Sequence, residues 1–240
     1  MQHTTAFFRA ISALCCMLAL AACTSGRMPA ASTPPPGAAL RAQRTLDLAA
    51  GTLELMLQGE DGPALRDALT RSRAVLIAPR MVKASFVFGG AGGNAVLAAH
   101  HANGGWSAPA FMHLAGGSAG FQAGVSETAF VLAVLDEPTY QALLENGFTF
   151  DAEALVARPG HGREKQLSSM TYDGGAAYFS LVDGLFAGVA LDGTIIQADK
   201  DANEAVYAPG ATPRSITDSG DVLPAPWASR LLRLLPGPTI

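Results

Sequence analysis

The feature that most constrains the fold is a series of short apolar runs that glycine and proline repeatedly interrupt. The 240 residues include 26 glycines and 15 prolines. Apolar runs of this length are typical of β-strands, and the turn-forming residues between them favour tight connections. The predicted strands are residues 74–78, 85–88, 95–98, 119–125, 129–135, 176–182 and 185–190. Asp192-Gly193 joins the last of these to residues 195–197, and this dipeptide is typical of a β-hairpin turn.

Helical spacing of apolar residues occurs mostly towards the two ends of the chain. The predicted helices are residues 38–57, 63–71, 137–146, 199–207 and 227–235. Strands outnumber helices in the middle of the chain. We therefore expect an α+β fold with a mainly antiparallel sheet, either open or barrel-like, and helices packed at the N- and C-terminal ends.

The N-terminus has the pattern of a signal peptide. A basic residue is followed by an apolar stretch over residues 11–22, which is too short to span a bilayer, and no acidic residue precedes Cys23. The sequence Leu-Ala-Ala-Cys ending at Cys23 resembles a bacterial lipobox. That resemblance implies cleavage after Ala22 and diacylation of Cys23. An ordinary secretory signal with an incidental cysteine is the alternative.

The predicted organisation is a signal peptide over residues 1–22, a proline-rich flexible tether over residues 23–37 and one domain over residues 38–236. Thr24 stands where an aspartate would argue for retention in the inner membrane, which favours the outer membrane. The expected location is therefore the cell envelope, at the periplasmic face of the outer membrane.

Composition excludes several classes of protein. The predicted mature chain has 15 basic and 20 acidic residues, a formal charge of −5, which gives no footprint for nucleic acid. Cys15 and Cys16 leave with the signal peptide and Cys23 is acylated, so no thiol remains for a disulfide or a thiolate metal site. We predict no cofactor.

One motif suggests a nucleophilic serine. Residues 116–120 match G-x-S-x-G, in which Ser118 would need a later acid, Asp136 or Asp151, and then His161. The chemistry requires a sharp strand-to-helix turn, whereas the residues that follow look like another strand. A serine hydrolase is therefore only a remote alternative, and we expect a protein that is not an enzyme.

The glycine run over residues 89–93 lacks the lysine and hydroxyl residue of a phosphate-binding loop. A tight turn or a close approach of two backbones explains it better. Residues 199–203 resemble the start of a calcium loop, but Glu204 and Gly210 stand where that loop needs glycine and glutamate. His100 and His101 point to opposite faces of a strand. We therefore predict no metal site.

A basic cluster lies within residues 66–83, with only Asp67 opposing it. If the fold gathers these residues on one face, they would attract anionic lipid head groups, each contributing about 1 kcal/mol. The alternative is a solvated surface whose charges pair elsewhere. The cluster consists of Arg66, Arg71, Arg73, Arg80 and Lys83.

Four blocks of the sequence, in order, resemble the SYLF domain family. The blocks are Ala74-Val75-Leu76-Ile77-Ala78-Pro79 with Val82-Lys83-Ala84 and Phe88-Gly89-Gly90, then Gly104-Gly105-Trp106-Ser107-Ala108-Pro109-Ala110-Phe111, then residues 117–124, then residues 184–193 followed by Asp201-Ala202-Asn203. Together they extend over about residues 40–210. The resemblance implies association with lipid, because eukaryotic members bind phosphoinositides, and it implies no catalytic residues.

The leading hypothesis is a non-enzymatic, lipid-anchored protein of the cell envelope whose SYLF domain binds phospholipid or another lipid-like ligand. Membrane lipid would be reached through acylated Cys23. The alternative is an envelope scaffold whose domain binds another protein, of a kind that the sequence does not identify.

Overall fold

The chain is described here from a computed structural model that covers residues 33–85, 88–101, 104–119, 124–145, 148–149, 169–172, 175–181 and 194–237. The predicted signal peptide, Cys23 and most of the tether lie outside these residues. So do the predicted strand 185–190 and its Asp-Gly turn, along with two residues of the hydrolase hypothesis, Asp151 and His161.

An eight-stranded antiparallel sheet forms the centre of the described structure, in the order β5-β8-β3-β2-β1-β4-β7-β6. Within the described residues β5 and β6 are its two edges, so the sheet is open rather than closed into a barrel. The α+β prediction is confirmed. The strands are β1 (Ala74–Ser85), β2 (Phe88–Ala99), β3 (Ala110–Ala119), β4 (Gly124–Val134), β5 (Phe148–Thr149), β6 (Ser169–Tyr172), β7 (Ala176–Leu181) and β8 (Thr194–Ala198).

Five of the described helices correspond to the five predicted ones, and the short helix Pro213–Thr217 was not predicted. Proline near the start of α2 and α3 fits the first turn, where the missing N–H has no helical partner. The helices are α1 (Ala38–Gln58), α2 (Gly62–Arg71), α3 (Glu137–Leu144), α4 (Lys200–Val206), α5 (Pro213–Thr217) and α6 (Ser229–Leu234), and a 3-10 turn at Pro226–Ala228 precedes α6.

The first two strands are much longer than the predicted strands 74–78 and 95–98. Residue 85 ends β1 and residue 88 begins β2, so the predicted strand 85–88 is divided between the two arms of a hairpin. The predicted tight turn over residues 89–93 is also wrong, because these glycines lie inside β2. The other interpretation, a close backbone approach, is confirmed at Gly93, where a Cβ would lie 2.5 Å from the carbonyl oxygen of Arg80.

The sheet buries apolar residues on both faces. On one face, here called the helical face, Val75, Ile77 and Val96 pack against α1, α2, α4 and α6. On the other face, Leu76 and Leu97 belong to a second cluster with Tyr140 of α3. Alternate residues of each central strand therefore enter different cores, as the two-residue period of a strand requires.

Asn203 of α4 fastens the helical layer to the sheet. Its side chain is fully buried, its Oδ1 accepts from the backbone N–H of Phe111 at 2.8 Å, and its Nδ2 donates to the carbonyl of Phe111 at 2.9 Å. The amide thus pairs with β3 as a neighbouring strand would, which satisfies backbone groups that are buried beneath α4. Asp199 caps the same helix by accepting from Ala202 N–H at 2.9 Å.

Candidate functional site

The five residues of the predicted basic cluster do not share one face. Arg80 and Lys83 lie in a stretch of β1 that pairs in continuous register with β2, and they are separated by an odd number of positions. Their side chains therefore point to opposite faces of the sheet. Arg66 is exposed on α2, and Arg71 on the same helix bonds Asp67 at 2.7 Å.

Arg80 has an acidic partner on the neighbouring strand. Its Nε donates to Glu127 Oε1 at 2.9 Å, and this hydrogen bond raises the pKa of Arg80. Both side chains are exposed, so the pair contributes little to stability. A head-group role for the five predicted residues stays a prediction, and for Arg71 and Arg80 it would require exchange of a carboxylate for a phosphate.

The guanidinium of Arg73 is bound on several sides by other residues of the fold. Its guanidinium bonds Glu137 at 2.7 Å and the carbonyl of His100 at 2.9 Å, and it lies 4.0 Å from the ring centroid of Tyr140. Burial is the largest single influence and opposes its charged form, but the hydrogen bond to Glu137 and the electrostatic attraction of its neighbours together outweigh burial, so the pKa of Arg73 is raised. Asp218 is a second acidic partner, with its Oδ1 3.4 Å from Nη2 of Arg73. Arg73 therefore joins the start of β1 to α3 and α5.

Tyr140 extends the Arg73 cluster into the core. Its hydroxyl donates to Asp218 at 2.6 Å and lies 2.7 Å from the hydroxyl of Thr217. Burial raises the pKa of Tyr140, and the hydrogen bond to Asp218 raises it further. The phenol therefore stays a hydrogen-bond donor at neutral pH, and the cluster functions as a structural joint between elements.

The geometry gives no support to the catalytic alternative. Ser118 lies within β3 and pairs with Gly89 of β2, whereas a nucleophile elbow needs a strand-to-helix turn. Asp136, one acid considered for it, caps α3 by accepting from Thr139 N–H at 2.9 Å. Each of these residues therefore has a structural position in the fold.

The histidines occupy separate environments. His100 stacks on Trp106 with ring centroids 3.7 Å apart, and its Nδ1 lies 2.6 Å from the carbonyl of Ser72. His113 contacts Asn94 instead, on the helical face. In the part of the chain that the structure describes, no three His, Cys, Asp or Glu residues are grouped as metal ligands.

An apolar stripe on the outer face of α1 is the most distinctive surface feature. Leu40, Leu48 and Leu55 are 52%, 57% and 59% exposed. At about 3.6 residues per turn, the step of eight residues leaves an offset of about 80° and the step of seven an offset of about −20°, so these leucines lie within a sector of about 80° and form a broad line along the helix. We call this line, with Arg44 and Gly51 between its leucines, the leucine stripe.

The opposite side of α1 is buried against the sheet. Leu46, Ala49 and Leu53 are almost inaccessible to solvent. Exposure of the leucine stripe is therefore not a consequence of poor packing, because the helix already has a complete buried face. Single exposed leucines are common on protein surfaces, but three in a line are a candidate contact surface.

The charges around the leucine stripe are arranged asymmetrically. Arg44 lies within the stripe, and the exposed Arg41, three residues earlier, is its neighbour on the helix surface at one edge of the stripe. Glu54 lies on the other flank, where its carboxylate bonds Arg230 at 2.7 Å. Asp47, also exposed, lies on that flank as well. The stripe therefore combines apolar side chains with basic ones, and acidic residues stand at one side.

Sequence reasoning missed the leucine stripe, although a signal for it was present. The predicted helix over residues 38–57 holds Leu46, Leu53 and Leu57 at helical spacing, and Leu40, Leu48 and Leu55 are additional to them. The additional leucines exceed what one face of a helix can hold, so a second apolar line had to lie elsewhere on the surface.

Among the described helices, none has the length and hydropathy needed to cross a bilayer.

Comparison with known proteins gives a consistent family assignment. The model of a family described as "Ysc84: Las17-binding protein actin regulator" matches residues 115–237. The chain is 32% identical to "LAS seventeen-binding protein 3" of Saccharomyces cerevisiae over 181 residues, which is 74% of the chain and 39% of the relative. It is 34% identical to "Protein YSC84" of the same yeast over 159 residues, 65% of the chain and 34% of the relative.

A human relative is also similar. "SH3 domain-containing YSC84-like protein 1" is 29% identical over 130 residues, 53% of the chain and 38% of the relative. The chain thus spans about two fifths or less of the length of these curated relatives. One of them is named for binding and one for its SH3 domain, and none of the three names is that of an enzyme. No solved structure shows significant similarity to the chain.

Proposed function

The chain belongs to the Ysc84 family, and on that basis we propose that it is a non-enzymatic, lipid-anchored protein of a cell envelope whose domain contacts phospholipid. In this proposal the acyl chains on Cys23 hold the protein at the membrane, and the leucine stripe of α1 lies on the bilayer. The expected site is the periplasmic face of the outer membrane.

The observation that carries the proposal is the leucine stripe with its neighbouring arginines. Transfer of three half-exposed leucines out of water contributes about 3 kcal/mol in total. Arg41 and Arg44 beside an anionic surface would each add about 1 kcal/mol. The sum is a weak interaction, similar to that of a single membrane-binding signal, and stable attachment takes a second signal. The acylated cysteine would supply it.

The predicted basic residues take a secondary position in this proposal. Arg66 and Lys83 form no ion pair with another described residue, so both are available to a head group. Arg71, Arg73 and Arg80 each have a carboxylate partner already. Arg41 and Arg44, which the sequence prediction did not include, are the better candidates because they adjoin the apolar residues.

A protein partner is the second candidate function. One of the yeast relatives is named for binding a protein, and an exposed apolar line on a helix is also suited to the groove of another protein. The same stripe would then be the interface, and lipid would be bound only through Cys23. The two readings differ in whether the unacylated chain binds vesicles.

Flotation of the mature chain with Cys23→Ser tests the lipid contact without the anchor. We expect it to float with vesicles of phosphatidylglycerol and phosphatidylethanolamine at low salt. The triple variant Leu40→Ser, Leu48→Ser, Leu55→Ser should float several-fold less, because it loses the apolar transfer energy. Leu223→Ser is the matched control, since Leu223 is 84% exposed but lies outside α1.

Equal flotation of the triple variant and its parent contradicts a role for the leucine stripe. Failure of the parent to float contradicts lipid binding by the domain and favours the protein-partner reading. Both the stripe residues and Leu223 are exposed, so neither set of substitutions is expected to change the stability of the fold.

A further inference from the structure

A row of polar side chains crosses four neighbouring strands on the helical face of the sheet. Arg80 pairs with Asn94, Asn94 with His113, and His113 with Gln197. Residues that pair directly across strands point to the same face, so these four lie side by side. All four are exposed. With strands about 4.8 Å apart, the row is about 14 Å long. We call it the polar row.

Hydrogen bonds already connect the members of the polar row and its neighbours. His113 Nδ1 lies 2.7 Å from Asn94 Oδ1, and His113 Nε2 lies 3.2 Å from Asp199 Oδ2. Arg80 bonds Glu127 at the other end of the row. Arg80 therefore already has a carboxylate partner, and the side chains of the row are held in place while donors and acceptors remain at the surface.

A small cavity adjoins the middle of the row. Its volume is about 60 Å³, which is room for a hydroxyl-bearing group or two water molecules. Arg41 and Thr45 of α1 form one wall, and Asn94, His113 and Asp199 form the other. The cavity lies between the start of α1 and the sheet, so a ligand lying along the row would reach it directly.

The chemistry of the row selects among ligand classes. An anionic ligand would have to displace Glu127 from Arg80 and would meet the carboxylates of Asp199 and Asp201 at the cavity. An apolar ligand would leave the exposed amides without hydrogen bonds. A neutral ligand with many hydroxyl groups avoids both costs, since each hydroxyl can donate and accept.

We propose that the polar row, with its adjoining cavity, binds a neutral glycan chain that lies across strands β1, β2, β3 and β8. A sugar unit in an extended chain is comparable in length to the spacing between strands, so successive sugars would meet successive side chains of the row. Exposed Gly92 and Ala115 beside the row leave the approach unobstructed. This surface meets the surroundings of the leucine stripe only at Arg41, and the proposal does not depend on lipid binding.

The test applies the mature chain with Cys23→Ser to an array of neutral oligosaccharides and then titrates the best-retained sugar calorimetrically. We expect retention of at least one neutral sugar. The variants Asn94→Ala and His113→Ala should each weaken its binding at least tenfold, because each removes hydrogen-bonding groups at the centre of the row. Gln58→Ala, exposed at the end of α1, is the control and should bind like the parent.

Three results would overturn the proposal: no neutral sugar is retained, the Asn94 and His113 variants bind as well as the parent, or only sulfated or phosphorylated sugars are retained. Matching thermal unfolding curves for the parent and the variants confirm that altered binding is not a loss of fold. Because Asn94 and His113 are exposed, we expect the curves to match.

Discussion

Replacing Cys23 with serine is expected to abolish acylation of the chain completely and to leave residues 1–22 attached to it. The physical reason is that the thioether to the lipid forms at the sulfur, and no other cysteine lies at the predicted cleavage site. Each acyl methylene contributes about 0.8 kcal/mol to membrane attachment, so its loss removes the strongest term in the account. Labelled palmitate and the mass of the product in a Gram-negative host report the result.

Cys15 and Cys16 provide the matched controls, because the proposal places both in the segment that is removed. Cys15→Ser and Cys16→Ser should each incorporate palmitate and be processed like the parent chain. Palmitate on the Cys23→Ser variant would contradict the anchor. So would a parent chain whose Cys23 carries a free thiol after processing.

Replacing Asn203 with alanine is expected to lower the free energy of unfolding by about 2–4 kcal/mol. The substitution removes two hydrogen bonds to the backbone of Phe111 and leaves the Phe111 N–H buried without an acceptor. It also leaves a cavity at a site that is closed to solvent. Urea unfolding of the mature chain with Cys23→Ser, followed by circular dichroism, measures the change.

Asp201→Ala is the control for the Asn203 substitution. Asp201 lies in the first turn of the same helix but is exposed, so its loss should change stability by no more than about 1 kcal/mol. If Asn203→Ala unfolds at the same urea concentration as the parent, the amide does not fasten α4 to β3 in the way described above.

The helices were predictable because helical spacing and chain-breaking residues act locally. Pro63 and Pro138 mark the beginnings of α2 and α3 in the sequence, and Asp199 marks that of α4. The long strands β1 and β2 were not predictable to the same extent. Glycine has a low β-strand propensity, so the glycines of β2 argue against a strand when only the sequence is known. The folded sheet explains Gly93, because the backbone of Arg80 lies too close for a side chain at that position.

The candidate surfaces depend on information that the sequence does not carry directly. The leucine stripe requires knowledge of which side of α1 is buried. The polar row requires the register of three strand pairs, and a shift of one residue in any of them would turn a side chain to the other face. Likewise, the acidic partner of Arg80, Glu127, is distant in sequence and adjacent only in the folded sheet.

The most direct measurement of the central proposal places a fluorophore on α1 of the acylated protein. With Cys23 acylated and the leader removed, Leu48→Cys carries the only free thiol, and Leu223→Cys serves as the comparison. The labelled proteins are reconstituted into vesicles that contain spin-labelled phospholipid. Strong quenching at position 48 with little at position 223 is the predicted result, and equal or absent quenching at the two positions would contradict contact between α1 and the bilayer.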